Sequence, residues 1–214
     1  MKKFDTCFFE RYARQTLTTL LGEKYAALVN RDRPDLQMED KSLGIEVTRA
    51  MEPRKEAAVD MLKEMAGLEV PEKDREEIGQ ILKSGYAYGL QEGRYIGHLE
   101  REYWSLALPL RRIIASKIGK VGSGFYGEFK QFGLYIFCKD NLTEEEVILT
   151  MEYASELQCH LDVKYSTIYL ALTDRLWVCD LTDTARLANK TACTSHPITT
   201  DMRRWFFMEA LDKE

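Results

Sequence analysis

Nowhere in the 214-residue chain is there a run of roughly 18 apolar residues, the length a membrane-spanning helix needs. The first residues, MKKFDTCFFERYARQ, carry two lysines, but charge returns before any long apolar stretch, so they do not read as a signal peptide. Cysteine is sparse and badly spaced for cross-linking. The five, Cys7, Cys138, Cys159, Cys179 and Cys193, are odd in number and form no Cys-x-x-Cys pair. They argue against a disulfide framework or a zinc site and for buried thiols in a reducing compartment, so the cytoplasm is the expected location. The three histidines, His98, His160 and His196, are scattered without metal-ligand spacing. An excess of positive charge is missing too. A net charge of −5 and an isoelectric point near 5.4 exclude binding nucleic acid with the whole surface, though not with a local basic face. Internal repeats and low-complexity segments are absent.

What is present is an ordinary supply of core. Hydrophobic residues make up 45% and charged residues 30%, enough for one domain with a real interior, or one domain with an insertion. Phe8, Phe9, Tyr12, Leu17, Leu20 and Leu21 recur at helical spacing, so residues 4–21 read as a helix that Gly22 stops. EKYAALVN reads as a short strand. PDLQM begins with a proline that suits a strand start or a turn before it, MEDKS is a turn, and the β-branched LGIEVTRAM is a strand.

From about 53 to 118 the pattern is mostly helical. Pro53 and Pro71 sit where helices start, and another helix is expected after Pro109. The Gly- and Tyr-rich piece 84–98 fits no element well. GLYIFCKD is a strand. Thr143 and Glu146 have capping-box spacing at the head of a helix. STIYLALTD and RLWVCDLTD form a hairpin, and DMRRWFFMEALDKE closes the chain as a helix. This order predicts a single α/β domain over residues 1–214. A mixed central sheet is flanked by helices, with a mostly helical insertion at about 53–118.

The informative stretch is RDRPDLQMEDKSLGIEVTRAM, residues 31–51. If its two strands pair, Asp35 and Glu46 come side by side at one end of the sheet. Two carboxylates held close repel each other. A hard divalent cation such as Mg2+ or Mn2+ relieves that repulsion, with the Val47 carbonyl as a third oxygen and Glu10 on the first helix as a fourth group. Side chains alternate along a strand, so Glu46 and Thr48 share one face while Ile45 and Val47 share the other. A cation there would activate water and stabilise charge developing on a phosphate.

Pro34-Asp35 followed by Glu46-Val47-Thr48, after a helix bearing Glu10, resembles the PD-(D/E)xK nuclease superfamily. The resemblance covers roughly residues 4–140. It implies a restriction-endonuclease-like core and a metal-dependent phosphodiesterase acting on DNA or RNA. Carried over by position, Asp35 and Glu46 would bind Mg2+ or Mn2+, with support from Glu10. One position departs from the pattern, because Thr48 stands where the family has a lysine. Three accounts compete. The cation comes from elsewhere, with Lys117 or Lys120 as candidates, since Arg49 faces the other side of its strand. Or threonine suffices. Or the site is dead and the protein is a binding module for nucleic acid or protein.

Blander readings stand beside these. Asp35 can simply start a turn after proline. Glu46 can lie on an exposed strand face, and Glu10 can pair with Arg11 or Arg14 on solvent. Arg111, Arg112, Lys117 and Lys120 form the best local basic run, either a phosphate-contacting patch or a solvated helix face. Arg203 and Arg204 flank aromatics that either stack on bases or, as the commoner case, close the core while the arginines face water. GKVGSGFYG lacks the lysine and hydroxyl of a phosphate loop. Expected partners are a nucleic acid, a second copy of the chain or another protein, and not a membrane.

Overall fold

The computed structural model describes residues 7–50, 90–91, 94–95, 98–138, 141–182 and 192–211. The helices expected after Pro53 and Pro71 lie outside the described residues. The architecture is α/β. A seven-stranded mixed sheet is flanked, among the described residues, by four α-helices. In chain order the elements are helix α1 (Phe8–Leu21), strands β1 (Val29–Asn30), β2 (Leu36–Gln37) and β3 (Leu43–Arg49), and a small hairpin of β4 (Leu90–Gln91) and β5 (Arg94–Tyr95). Then follow α2 (His98–Gly122), β6 (Gln131–Phe137), α3 (Glu144–Gln158), β7 (Tyr165–Ala171), β8 (Arg175–Asp180), β9 (Cys193–Pro197) and α4 (Thr200–Leu211).

The sheet order is β1-β2-β3-β6-β7-β8-β9. Strands β3, β6 and β7 run parallel, and the antiparallel pairs lie to either side. The parallel centre explains why β6 reads as a continuous apolar run, since both its faces are covered. Leu134 and Ile136 enter one core with Ile114 and Ile118 of α2 and Val147 and Met151 of α3. Tyr135 enters the other core with Ala13 and Leu17 of α1, Ile45 and Val47 of β3 and Phe206 of α4. Each helical layer therefore owns one face of the sheet. From Leu110 onward, α2 is part of the first core.

Two expectations need correction, and one strand was not foreseen. Helix α2 does not start after Pro109 but runs through it from His98. Proline removes one helical donor, yet the stripe Leu110, Ile114, Ile118 and Val121 keeps helical spacing and is fully covered, so burial outweighs the local break. EKYAALVN is mostly a 3-10 turn, Glu23–Ala27, with only Val29–Asn30 in the sheet. Tyr25 anchors that turn, its hydroxyl 3.1 Å from that of Tyr169. Strand β9 went unread because CTSHP has neither length nor alternation, and its pairing with β8 supplies the order. The Thr143–Glu146 capping box and the β7–β8 hairpin form as read. Among the described residues, no helix is long and apolar enough to cross a membrane.

Candidate active site

The antiparallel pairing of β2 with β3 sets Leu36 opposite Ile45, so the register carried one step further brings Asp35 beside Glu46. The two expected acids are thus neighbours on adjacent strands. Asp35 does not extend the ladder. Its Oδ2 instead accepts the Val47 backbone N–H at 2.8 Å, which fixes the carboxylate against the strand edge. The backbone bends here through a cis Arg33–Pro34 peptide and a turn in which the Arg31 N–H donates to the Asp35 carbonyl at 2.9 Å. Gly44 lets this bend lie close. A Cβ added there would meet Pro34 Cγ at 2.7 Å and the Phe129 ring at 3.1 Å. In a strand, a residue's N–H and C=O leave by the same edge. The Val47 carbonyl is therefore on the Asp35 side of β3, while Thr48 and Ala50 face β6.

Glu46 is only 8% exposed, so the exposed-face reading fails. Its partner is Lys117, whose Nζ lies 2.6 Å from Glu46 Oε1, with both side chains largely covered. Lys117 comes from the last turns of α2, the layer facing the Glu46 side of β3. A cation therefore reaches the acid from 71 residues along the chain. Thr48 is half-buried on the same strand face as Glu46. Arg49 points the other way, its guanidinium over the Phe9 ring of α1 at 4.4 Å.

The electrostatics tie these groups together. The Asp35 carboxyl is pushed up to about 6, first by burial and then by the Glu46 charge. Glu10 raises it further, while the Val47 amide and Lys117 pull it back. Glu10, half-buried on α1, is thus close enough to act on Asp35. The carboxylates crowd each other, and one ammonium offsets them only in part. Among the described residues, no three histidine, cysteine, aspartate or glutamate side chains form a group that could hold a metal ion. The Asp35 and Glu46 carboxylates and the Val47 carbonyl are the oxygen donors that converge here, and oxygen is the donor that hard divalent cations such as Mg2+ or Mn2+ take.

Sequence reasoning missed three residues here. Tyr126 is buried beside Glu46 and Tyr165. Burial above all, then the Glu46 charge, holds its phenol well above the ordinary range, so it stays protonated. Its hydroxyl makes no well-formed hydrogen bond. Next to it, between the left-handed glycines Gly124 and Gly127, Phe125 turns outward and is 44% exposed. The Arg33 guanidinium lies 4.8 Å from the Phe125 ring centre and Lys120 Nζ lies 5.3 Å from it. Arg33 also has Asp32 at 3.5 Å, so the rim is not purely basic. The only sequence signal was the aromatic pair inside a glycine turn.

The basic run does not act as one patch. Lys117 goes to Glu46 and Lys120 to Phe125. Arg111 is half-buried, its guanidinium 5.1 Å from the Tyr153 ring centre on α3, and Arg112 is exposed. In α4, Phe206 closes the core as expected, but Trp205 and Phe207 remain 44% and 39% exposed. Arg203 donates to the Thr173 carbonyl at 2.9 Å.

No family model, curated protein or solved structure matches this chain.

Proposed function

We propose that the protein is a PD-(D/E)xK-type phosphodiesterase that cuts DNA or RNA with Mg2+ or Mn2+, and that Lys117 takes the role of the lysine missing at Thr48. The observation that carries this reading is the 2.6 Å contact between Lys117 Nζ and Glu46 Oε1 beside the crowded Asp35 carboxyl. A neutral threonine cannot supply a cation, and a lysine delivered by the neighbouring helix can.

Asp35, Glu46 and the Val47 carbonyl would hold the metal, with Glu10 adding negative charge behind them. When bound there, such a metal would supply charge stabilisation on the phosphate and a water of lowered pKa. The chain's own residues do the rest. Lys117 lies where it can orient the attacking water and offset charge growing on the phosphate oxygens. The protonated Tyr126 hydroxyl can donate to the same region. Phe125 offers a face on which an unstacked base can lie, with Arg33 and Lys120 toward phosphates.

A second reading has its own support. The Lys117–Glu46 ion pair satisfies the buried carboxylate without any metal, as it would in a nucleic-acid or protein binding module that has lost catalysis. Cleavage separates the two. Purified protein is incubated with plasmid, single-stranded DNA and RNA in Mg2+, Mn2+ or EDTA, beside Asp35→Ala and Glu46→Ala. Nuclease activity requires metal-dependent cutting lost in both variants. Binding without cutting in either metal supports the module.

A further inference from the structure

We propose that Cys179 and Cys193 form a reversible disulfide site, oxidised by hydrogen peroxide, that fastens β9 to the rest of the sheet. The site is independent of the phosphodiesterase reading and rests on strand register. Cys179 of β8 and Cys193 of β9 are direct cross-strand partners. Two flanking bonds, Asp180 N–H to the Ala192 carbonyl at 2.9 Å and Ile198 N–H to the Asp174 carbonyl at 2.7 Å, set the alternation of the ladder. Counting from either one places Cys179 and Cys193 at a non-hydrogen-bonded pair, where the Cα atoms are about 4.5 Å apart. Side chains approach most closely there, and the spacing is within the range of about 4.4–6.8 Å that disulfides span. Both side chains emerge on the same face of the sheet, and the thiols already interact with each other. Both are free thiols.

The two sulfurs are not equivalent, and their difference sets the order of events. Cys179 is fully buried among Trp177, Leu181 and Ile168. Cys193 is partly exposed. The Cys179 contact holds the Cys193 thiol below its ordinary range, and partial burial and then nearby Glu144 oppose that shift. The partial exposure of Cys193 leaves its sulfur the one of the two that a small oxidant in solution can reach. The Cys193 thiolate attacks the peroxide, the O–O bond breaks, and Cys193 becomes a sulfenic acid as the first water forms. Cys179 then attacks the Cys193 sulfur, the S–S bond forms, and the hydroxyl leaves as the second water. Two thiols lose two electrons and the peroxide gains them. A thiol such as glutathione reverses the step by exchange.

The bond would tie β9, the last strand of the sheet, to β8. The test uses the full chain. Reduced protein is titrated with hydrogen peroxide, alkylated and digested, and the peptides are identified by mass. The expected result is a cross-linked peptide containing Cys179 and Cys193 and lighter by two hydrogens. It should disappear with dithiothreitol, and the melting temperature should rise by about 5–10 °C on oxidation. The rise should be absent in Cys193→Ser. Peroxide that converts Cys193 to sulfinic acid while Cys179 stays alkylatable would overturn the proposal. So would full oxidation of exposed Cys159 with both partners still reduced. The wild-type peptide map decides the question even where the serine variant folds poorly.

Discussion

Asp35→Asn is the perturbation that most sharply probes the electrostatics of the acid pair. Burial and the charges of Glu46 and Glu10 push the Asp35 carboxyl from an ordinary 3.8 up to about 6. A folded value above the unfolded one means that the fold favours the protonated form. That stabilisation is complete below about pH 4 and is lost as pH rises through about 6. At pH 7.5 the ionised carboxylate therefore weighs against the fold. The shift taken whole would equal ~3 kcal/mol. Water reaching this half-buried group screens it, leaving about 1 kcal/mol. Asparagine keeps an oxygen to accept the Val47 N–H and removes the charge. Without metal, Asp35→Asn should match the wild type at pH 4 and exceed it by about 1 kcal/mol at pH 7.5, or about 2–4 °C in melting temperature. With Mn2+ at a hundredfold its Kd the order should reverse, because only the wild type gains the ~2.7 kcal/mol of linked binding. Thermal melts from pH 4 to 8, with and without Mn2+, read both effects. An asparagine variant that loses ground to the wild type as pH rises in EDTA would refute the reasoning, since it would mean that the fold stabilises the Asp35 anion.

Lys117→Met should destabilise the fold, because it strands a Glu46 carboxylate that is only 8% exposed. The loss should be about 3 kcal/mol in a urea melt, near the lower end for a broken buried pair, and a loss under 1 kcal/mol would contradict the burial argument. Phe125→Ala should weaken binding of single-stranded oligonucleotides by ~1–3 kcal/mol in fluorescence anisotropy while leaving the melting temperature unchanged. Unchanged affinity would remove Phe125 from the interface. Gly44→Ala should cost ~1–3 kcal/mol and disturb Asp35, since the new methyl would lie 2.7 Å from Pro34 Cγ. A variant as stable as the wild type would show that the Pro34 bend yields freely.

Much of this scaffold was legible because its signals are local. Thr143 and Glu146 announced a helix start, LGIEVTRAM a strand, and the Thr-Asp step a hairpin. The acid pair was legible for the same reason, as Asp35 and Glu46 are eleven residues apart and joined by one turn. Lys117 was legible only as one of two candidates, beside Lys120, for the missing cation. Nothing local says that α2 lays its last turns over the Glu46 face of β3, because that is a product of the parallel β3–β6 crossover. Tyr126 was hidden for a similar reason. Its burial beside Glu46 depends on how α2 ends, in a turn shaped by Gly124 and Gly127. Pro109 misled because a start signal was weighed without the tertiary cover that lets a helix run through it.

The central claim is that a lysine from α2 completes an acid pair whose strand carries threonine instead. Single-turnover cleavage of one nucleic-acid substrate in Mn2+ tests it directly, comparing wild type, Lys117→Met and Lys117→Met/Thr48→Lys. Position 48 shares the strand face of Glu46, so a lysine placed there can reach the same carboxylate. The account predicts a loss of about 10²–10³-fold in Lys117→Met and recovery of at least about tenfold of that rate when the lysine is restored at position 48. Wild-type cleavage by Lys117→Met would contradict it.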